Sequence, residues 1–171
     1  MGSHPQKAIK VGIIIGSLSD EETMFECAQI LKRLEIPFAY TVSSAHRSPE
    51  RTLHMVKHFE NRGAQIFICA AGMANHLAGT VAAHTCKPVI GVPLSASPLG
   101  GMDALLSTVQ MPPGVPVATV ALDKAGAKNA AWLAAQILAL QDSGISLSLE
   151  RERSDMHYSV VTAGDKVEAK W

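Results

Sequence analysis

Apolar and polar positions alternate in two rhythms along this chain. Short apolar runs rich in Val and Ile are separated by stretches in which apolar residues return every three or four positions. The first rhythm predicts buried strands, the second amphipathic helices. Ile9 to Ile15 reads as a strand, and Glu21 to Leu34 as a helix with Met24, Cys27, Ile30, Leu31 and Leu34 on one face. Phe38 to Val42 reads as a second strand. It leads to a helix from Pro49 to Asn61, with Ser48 as its N-cap and Pro49 as its first residue. Gln65 to Ala70 is a third strand, followed by an Ala-rich helix from about Asn75 to Thr85. Pro88 to Val92 and Val117 to Leu122 supply strands four and five, with a short helix, Met102 to Val109, between them. A very Ala-rich helix runs from Gly126 to Gln141, Gly144 is expected to end it, and a charged helix follows from Ser146 to about Glu168.

Strands that alternate with helices imply a parallel sheet, because each parallel crossover must travel back over one face. The expected fold is a three-layer, flavodoxin-like α/β sheet in strand order 2-1-3-4-5, with helices on both faces and a C-terminal helical tail. Residues 1–7 read as a tag-like, disordered start (Met1-Gly2-Ser3-His4), 8–143 as the α/β nucleotide-binding domain, and 144–171 as the tail. The tail's run Glu150-Arg151-Glu152-Arg153 is expected to face solvent. With little core of its own to join, the tail is expected to pack between subunits.

Bulk composition narrows the function classes. Fifteen Lys and Arg balance fifteen Asp and Glu over 171 residues, which argues against electrostatic capture of nucleic acid or of an anionic membrane. No apolar stretch reaches the roughly 18 residues needed to span a bilayer. Cys27, Cys69 and Cys86 are scattered and odd in number, so reduced thiols in a cytoplasmic protein are expected rather than a disulfide framework. With aromatics at only 5%, a flavin ring would find few stacking partners. Methionines at helical spacing are expected in the core.

In a sheet of this kind ligands bind beyond the carboxyl ends of the strands, and the segments expected there are rich in Gly, Ser and other small residues. After strand one comes Gly16-Ser17-Leu18-Ser19-Asp20, which matches neither the Walker loop nor the three-glycine dinucleotide fingerprint. Asp20 either caps the next helix or binds ribose hydroxyls while Ser17 and Ser19 hold phosphate. After strand two comes Ser43-Ser44-Ala45-His46-Arg47-Ser48-Pro49. An imidazole both gives and takes a proton near neutrality, and the adjacent guanidinium suits a phosphate or carboxylate. His76, at the end of strand three, is either a helix-start histidine bonded to backbone or part of the chemistry. His54 and His58 have zinc-pair spacing but no third ligand in evidence, so they read, with His84, His157 and His4, as surface histidines. Lys124 and Lys128 are either anion binders or solvated lysines.

Taken together and in order, these segments resemble the N5-carboxyaminoimidazole ribonucleotide mutases of purine biosynthesis. The resemblance covers about Val11 to Leu140. It is carried by Gly16-Ser17-x-Ser19-Asp20, Ser44-Ala45-His46-Arg47-x-Pro49, Ala71-Gly72 leading to His76-Leu77, Val89-Ile90-Gly91-Val92-Pro93, Val109-Gln110-Met111-Pro112 and Lys124-Ala125-Gly126-Ala127-x-Asn129. It implies a homo-octamer acting on a small ribonucleotide, with sites at subunit boundaries and with no metal and no organic cofactor. It also implies His46 as the catalytic acid and base. Ser17, Ser19, Asp20 and Arg47 would bind the nucleotide, Ser44 would line the pocket, and Gly72, Met73 and His76 would contact substrate.

Where the mutases usually read Gly-Gly-Ala-Ala-His-Leu-Pro-Gly, this chain has Gly72-Met73-Ala74-Asn75-His76-Leu77-Ala78-Gly79. Asn75 resembles the related class that carboxylates aminoimidazole ribonucleotide directly with carbon dioxide. Arg47 and His76 are of the mutase type. The Ser95-Ala96-Ser97-Pro98-Leu99 loop differs somewhat from both classes. A direct carboxylase and a non-catalytic nucleotide-binding module are the rival readings.

Overall fold

Five strands form one parallel sheet in the order β2-β1-β3-β4-β5. The computed structural model describes residues 7–171, so the tag-like reading of the first residues lies almost wholly outside it. β1 (Val11–Ile15) is buried along its whole length, as a central strand covered on both faces must be. β3 (Ile66–Gly72) and β4 (Val89–Leu94) run two residues further than expected, to Gly72 and Leu94. β2 (Phe38–Val42) lies at one edge. β5 shrinks to Ala118–Thr119 at the other, where it has β4 alone to pair with.

Alternation along β4 assigns the layers. Val89 belongs to the apolar cluster that contains Ile14, Phe67 and Cys69, with Val56 and Phe59 of α2 (Pro49–Asn61) and Leu77, Ala78 and Val81 of α3 (Leu77–Ala82). Gly91, on the same face, lies so close to α4 (Met102–Val109) that a Cβ would overlap the Thr108 methyl. Val92 points the opposite way, toward Gly126 of α5 (Asp123–Ala139). α1 (Glu21–Arg33) runs beside α5: Lys124 pairs with Glu22 at 3.6 Å, Lys128 with Glu26 at 3.4 Å, and Arg33 lies 5.5 Å from the Trp132 ring centre. Both lysines are therefore spent on exposed ion pairs.

Several local expectations change. α3 is only six residues long, beginning at Leu77 instead of Asn75. Ser48 occupies the N-cap of α2, and Pro49 its first position, but the Ser48 side chain makes no capping bond. Gly144 does not end a helix. It sits in the first turn of α6 (Ser143–Glu168), which starts earlier because the Asp142 carboxylate accepts from Gly144 N and Ile145 N at 3.1 and 3.2 Å. Met24 is buried as expected, whereas Met102 and Met156 stand exposed.

The chain divides into two compact units, one ending at Ala134 and the other Ala135–Trp171, a boundary inside α5. α6 is exposed along most of its length, and its Leu147, Met156, Tyr158, Val160, Val161 and Val167 face solvent. Among the described residues no helix is long and apolar enough to cross a membrane. All three cysteines are free; Cys27 and Cys69 are buried, and burial pushes the Cys27 thiol up to about 12.

Candidate functional site

Strand register brings three loops to one edge of the sheet. Ile15 lies opposite Val42 on one side and Ala70 on the other, so the chain leaves β1, β2 and β3 at the same level. Gly16 N then donates to the Ala70 carbonyl, and Ser43 N to the Ile15 carbonyl. The three departing segments enclose a cleft of about 450 Å³. Nine residues singled out by sequence line it, Ser17, Ser19, Asp20, Ser44, His46, Arg47, Gly72, Met73 and His76, whereas Lys124 and Lys128 do not.

The first loop organises itself. Leu18–Asp20 is a 3₁₀ turn whose capping box is closed at both ends: Ser17 N donates to Asp20 Oδ2 at 2.9 Å, and Ser17 Oγ accepts from Ser19 N and from Ser19 Oγ. Asp20 is only 6% exposed, and burial raises its carboxyl above the ordinary value of 3.8, against the lowering pull of these hydrogen bonds. Of the two sequence readings, helix capping holds only in part. Asp20 stands at the N-cap of α1, yet its side chain bonds back to Ser17 and not forward into α1.

The second loop is fastened from below. The buried Ser43 and Thr52 hydroxyls meet at 2.9 Å, tying the end of β2 to α2. Ser44 accepts from Arg47 N through its hydroxyl and from Ser48 N through its carbonyl. Arg51 is occupied, donating to the Val42 carbonyl and to Thr41 Oγ1. The Arg47 guanidinium makes no such bond among the described residues and stays available to an anion.

The third loop carries the feature that sequence did not anticipate. His76 Nδ1 and His46 Nε2 lie 2.7 Å apart, with the rings edge to face and their centres 4.7 Å apart. The reading of His76 as bonded to backbone is thus overturned: its ring makes no cap bond and meets His46 instead. At that separation one nitrogen carries the hydrogen and the other is bare, so the tautomer of either ring constrains its partner. Both histidines follow strands adjacent to β1, and that shared neighbour was the available sequence signal for their meeting.

Around this pair the wall is tightly drawn. A Cβ on Gly72 would lie 2.5 Å from the Ala96 methyl, so glycine alone lets the Ser95–Gly101 loop close against β3. That loop is held in turn by Asp123, which accepts from Ser95 N at 2.8 Å and Ser95 Oγ at 2.5 Å. Met73 lies 61% exposed at the cleft wall with φ +54°, a left-handed conformation that costs a side-chain-bearing residue about 1–2 kcal/mol. His54 and His58 lie on α2 outside the cleft lining, their rings stacked 6.1 Å apart, and His84 Nδ1 donates to the Thr80 carbonyl. His4 lies outside the described residues.

The chain has known counterparts. Residues 10–159 match the family described as AIR carboxylase. The chain is 46% identical over 157 residues to the N5-carboxyaminoimidazole ribonucleotide mutase of Bacillus subtilis, covering 92% of this chain and 97% of that one. It is 50% identical over 147 residues to the protein of the same name from Pyrococcus abyssi, covering 86% and 83%. A solved structure of PurE from Treponema denticola superposes with a TM-score of 0.83 at 30% identity, covering 91% of this chain and 96% of that one. The family match spans most of the chain and includes the nine cleft residues named above, and the chain belongs to the AIR carboxylase family.

Proposed function

We propose that this protein is an isomerase of purine biosynthesis, converting N5-carboxyaminoimidazole ribonucleotide to 4-carboxy-5-aminoimidazole ribonucleotide. The observation that carries the reading is the exposed His46–His76 contact in a cleft that Ser17, Ser19 and Arg47 also line. Nearly full-length similarity to proteins bearing the mutase name supports it.

In this mechanism Arg47, Ser17 and Ser19 hold the phosphate, Asp20 takes the ribose hydroxyls, and Ser44, Gly72, Met73 and His76 form the wall around the base. His46 gives a proton to the exocyclic nitrogen as its bond to the carboxylate breaks, releasing carbon dioxide. The neighbouring ring carbon then attacks that carbon dioxide, and His46 recovers a proton from the newly carboxylated carbon. The proton balance is zero over one turnover, which suits a single imidazole acting in both directions. Keeping carbon dioxide beside the ring makes its recapture effectively intramolecular.

The direct carboxylase is a second reading, favoured by Asn75 alone; Arg47 and His76 favour the mutase. An assay without ATP separates them. The wild-type protein should isomerise the N-carboxylated nucleotide, and His46→Asn should lower turnover by about 10²–10⁴-fold while nucleotide binding persists. Turnover of aminoimidazole ribonucleotide with carbon dioxide, and none of the carboxylated nucleotide, would favour the carboxylase instead. Binding without turnover in the wild type would leave a nucleotide-binding module.

We further infer a cytoplasmic homo-octamer whose C-terminal helix packs between subunits. The free cysteines support the compartment. The exposed apolar residues of α6, and Leu99, Met102, Leu106 and Val109 at and near α4, support burial against other copies. Light scattering that gives a mass of eight chains is the expected result.

A further inference from the structure

Among Met73, Ala74, Asn75 and His76, Asn75 alone is buried, at 0% exposure. Its Oδ1 is buried with no partner among the described residues. An unpaired buried acceptor is a net cost, so the rest of the amide has to return something. Asn75 Nδ2 donates to Thr108 Oγ1 at 2.9 Å and, weakly, to the Val92 carbonyl at 3.5 Å. Its backbone N donates to Ser107 Oγ at 2.8 Å.

The direction of these bonds is set by α4. Ser107 Oγ donates its single hydrogen to the Asp103 carbonyl at 2.7 Å, and Thr108 Oγ1 donates to the Ala104 carbonyl at 2.6 Å. Both hydroxyls therefore offer only lone pairs to Asn75, and the amide must turn its NH₂ toward Thr108. The close approach at Gly91 seats Thr108 against the sheet, within reach of this amide. The turn between β3 and α3 is thus clamped by residues 32 and 33 positions away.

Two residues before the clamp, Met73 is held at φ +54°, and one residue after it His76 meets His46. We propose that Asn75 is a positioning residue for the histidine pair. By fastening the Met73–His76 turn to α4 it keeps Met73 left-handed and aims His76 Nδ1 at His46 Nε2. The kinetic consequence rests on the reading of His46 as acid and base; the geometric claim does not.

The test uses the full-length protein with Asn75→Ala, Thr108→Val and, as a milder change at a half-buried site, Ser107→Ala. Imidazole ¹⁵N NMR at one fixed pH, without substrate, reports whether His46 Nε2 and His76 Nδ1 share a hydrogen. The wild type should show that signature on both nitrogens, and every variant that folds should weaken it. In the same variants kcat should fall about 10- to 100-fold with KM within about twofold, the pattern of a misaimed catalytic group. A lower melting temperature with unchanged imidazole signals means a merely structural role and overturns the proposal. Shifted imidazole signals in a protein whose wild type isomerises nothing would sink the proposed reaction and leave the positioning role standing.

Discussion

The turn from Ser17 to Asp20 and the turn from Met73 to His76 line the same cleft but are held in opposite ways. Every side-chain bond in the first spans three residues or fewer. Those in the second span 17 to 33 residues, reaching β4, α4 and the loop after β2. The first turn needs only its own sequence to close. The second needs three other elements already in place, and it stores a left-handed Met73 and an orphaned Asn75 Oδ1 that no local interaction offsets. A ligand-holding loop can thus be built cheaply from neighbours, whereas a pair of rings from different loops must be aligned by the fold itself.

Exchanging acid and amide at the two buried positions gives the strongest contrast. Asn75→Asp removes the donor to Thr108 and places a carboxyl in a site without a counter-charge, and should cost about 3–5 kcal/mol in urea denaturation. Asp20→Asn keeps an oxygen facing Ser17 N and should cost no more than about 1 kcal/mol. Equal losses at both positions would erase the distinction between a locally and a remotely held turn.

Met73→Gly has a smaller effect of opposite sign. It relieves about 1–2 kcal/mol of left-handed strain, offset in part by about 0.5–1 kcal/mol of extra chain entropy in the unfolded state. Net stabilisation of about 0–1.5 kcal/mol should raise the melting temperature by a few degrees at most. A lower melting temperature would show that the Met73 side chain contributes packing that outweighs its backbone.

The smallest effect is the pH dependence of the first turn. Because burial raises the Asp20 carboxyl in the folded protein, the unfolded chain ionises first as pH rises above 3.8. The native state then binds more protons, so the Asp20 contribution is fully present below 3.8 and is lost as pH rises through the folded value. The difference in stability between wild type and Asp20→Asn, followed from pH 3.5 upward, should change in that direction and level off. A difference that grows in favour of the wild type with rising pH would mean that hydrogen bonding from Ser17 and Ser19 outweighs desolvation.

Much of the architecture was legible because it depends on period and composition. The short apolar runs became β1 to β4, and the chain-order pattern led to the observed sheet order. Where reading went astray, an unseen partner decided. β5 dwindled to two residues although β2, the other edge strand, kept all five, and α3 began late because the residues before it bond to α4 and to His46. α6 began early because a single carboxylate, Asp142, capped it from the preceding position. Lys124 and Lys128 pair with Glu22 and Glu26, which α1 offers at matching intervals.

Strand and helix identity and the parallel pairing follow from the residues in chain order, since short-range propensity and the crossover rule depend on nothing else. The pairing of His46 with His76, the clamp on Asn75 and the left-handed Met73 come only from the folded whole. Each depends on distances between segments that are remote along the chain, and packing sets those distances to a fraction of an ångström while periodicity does not.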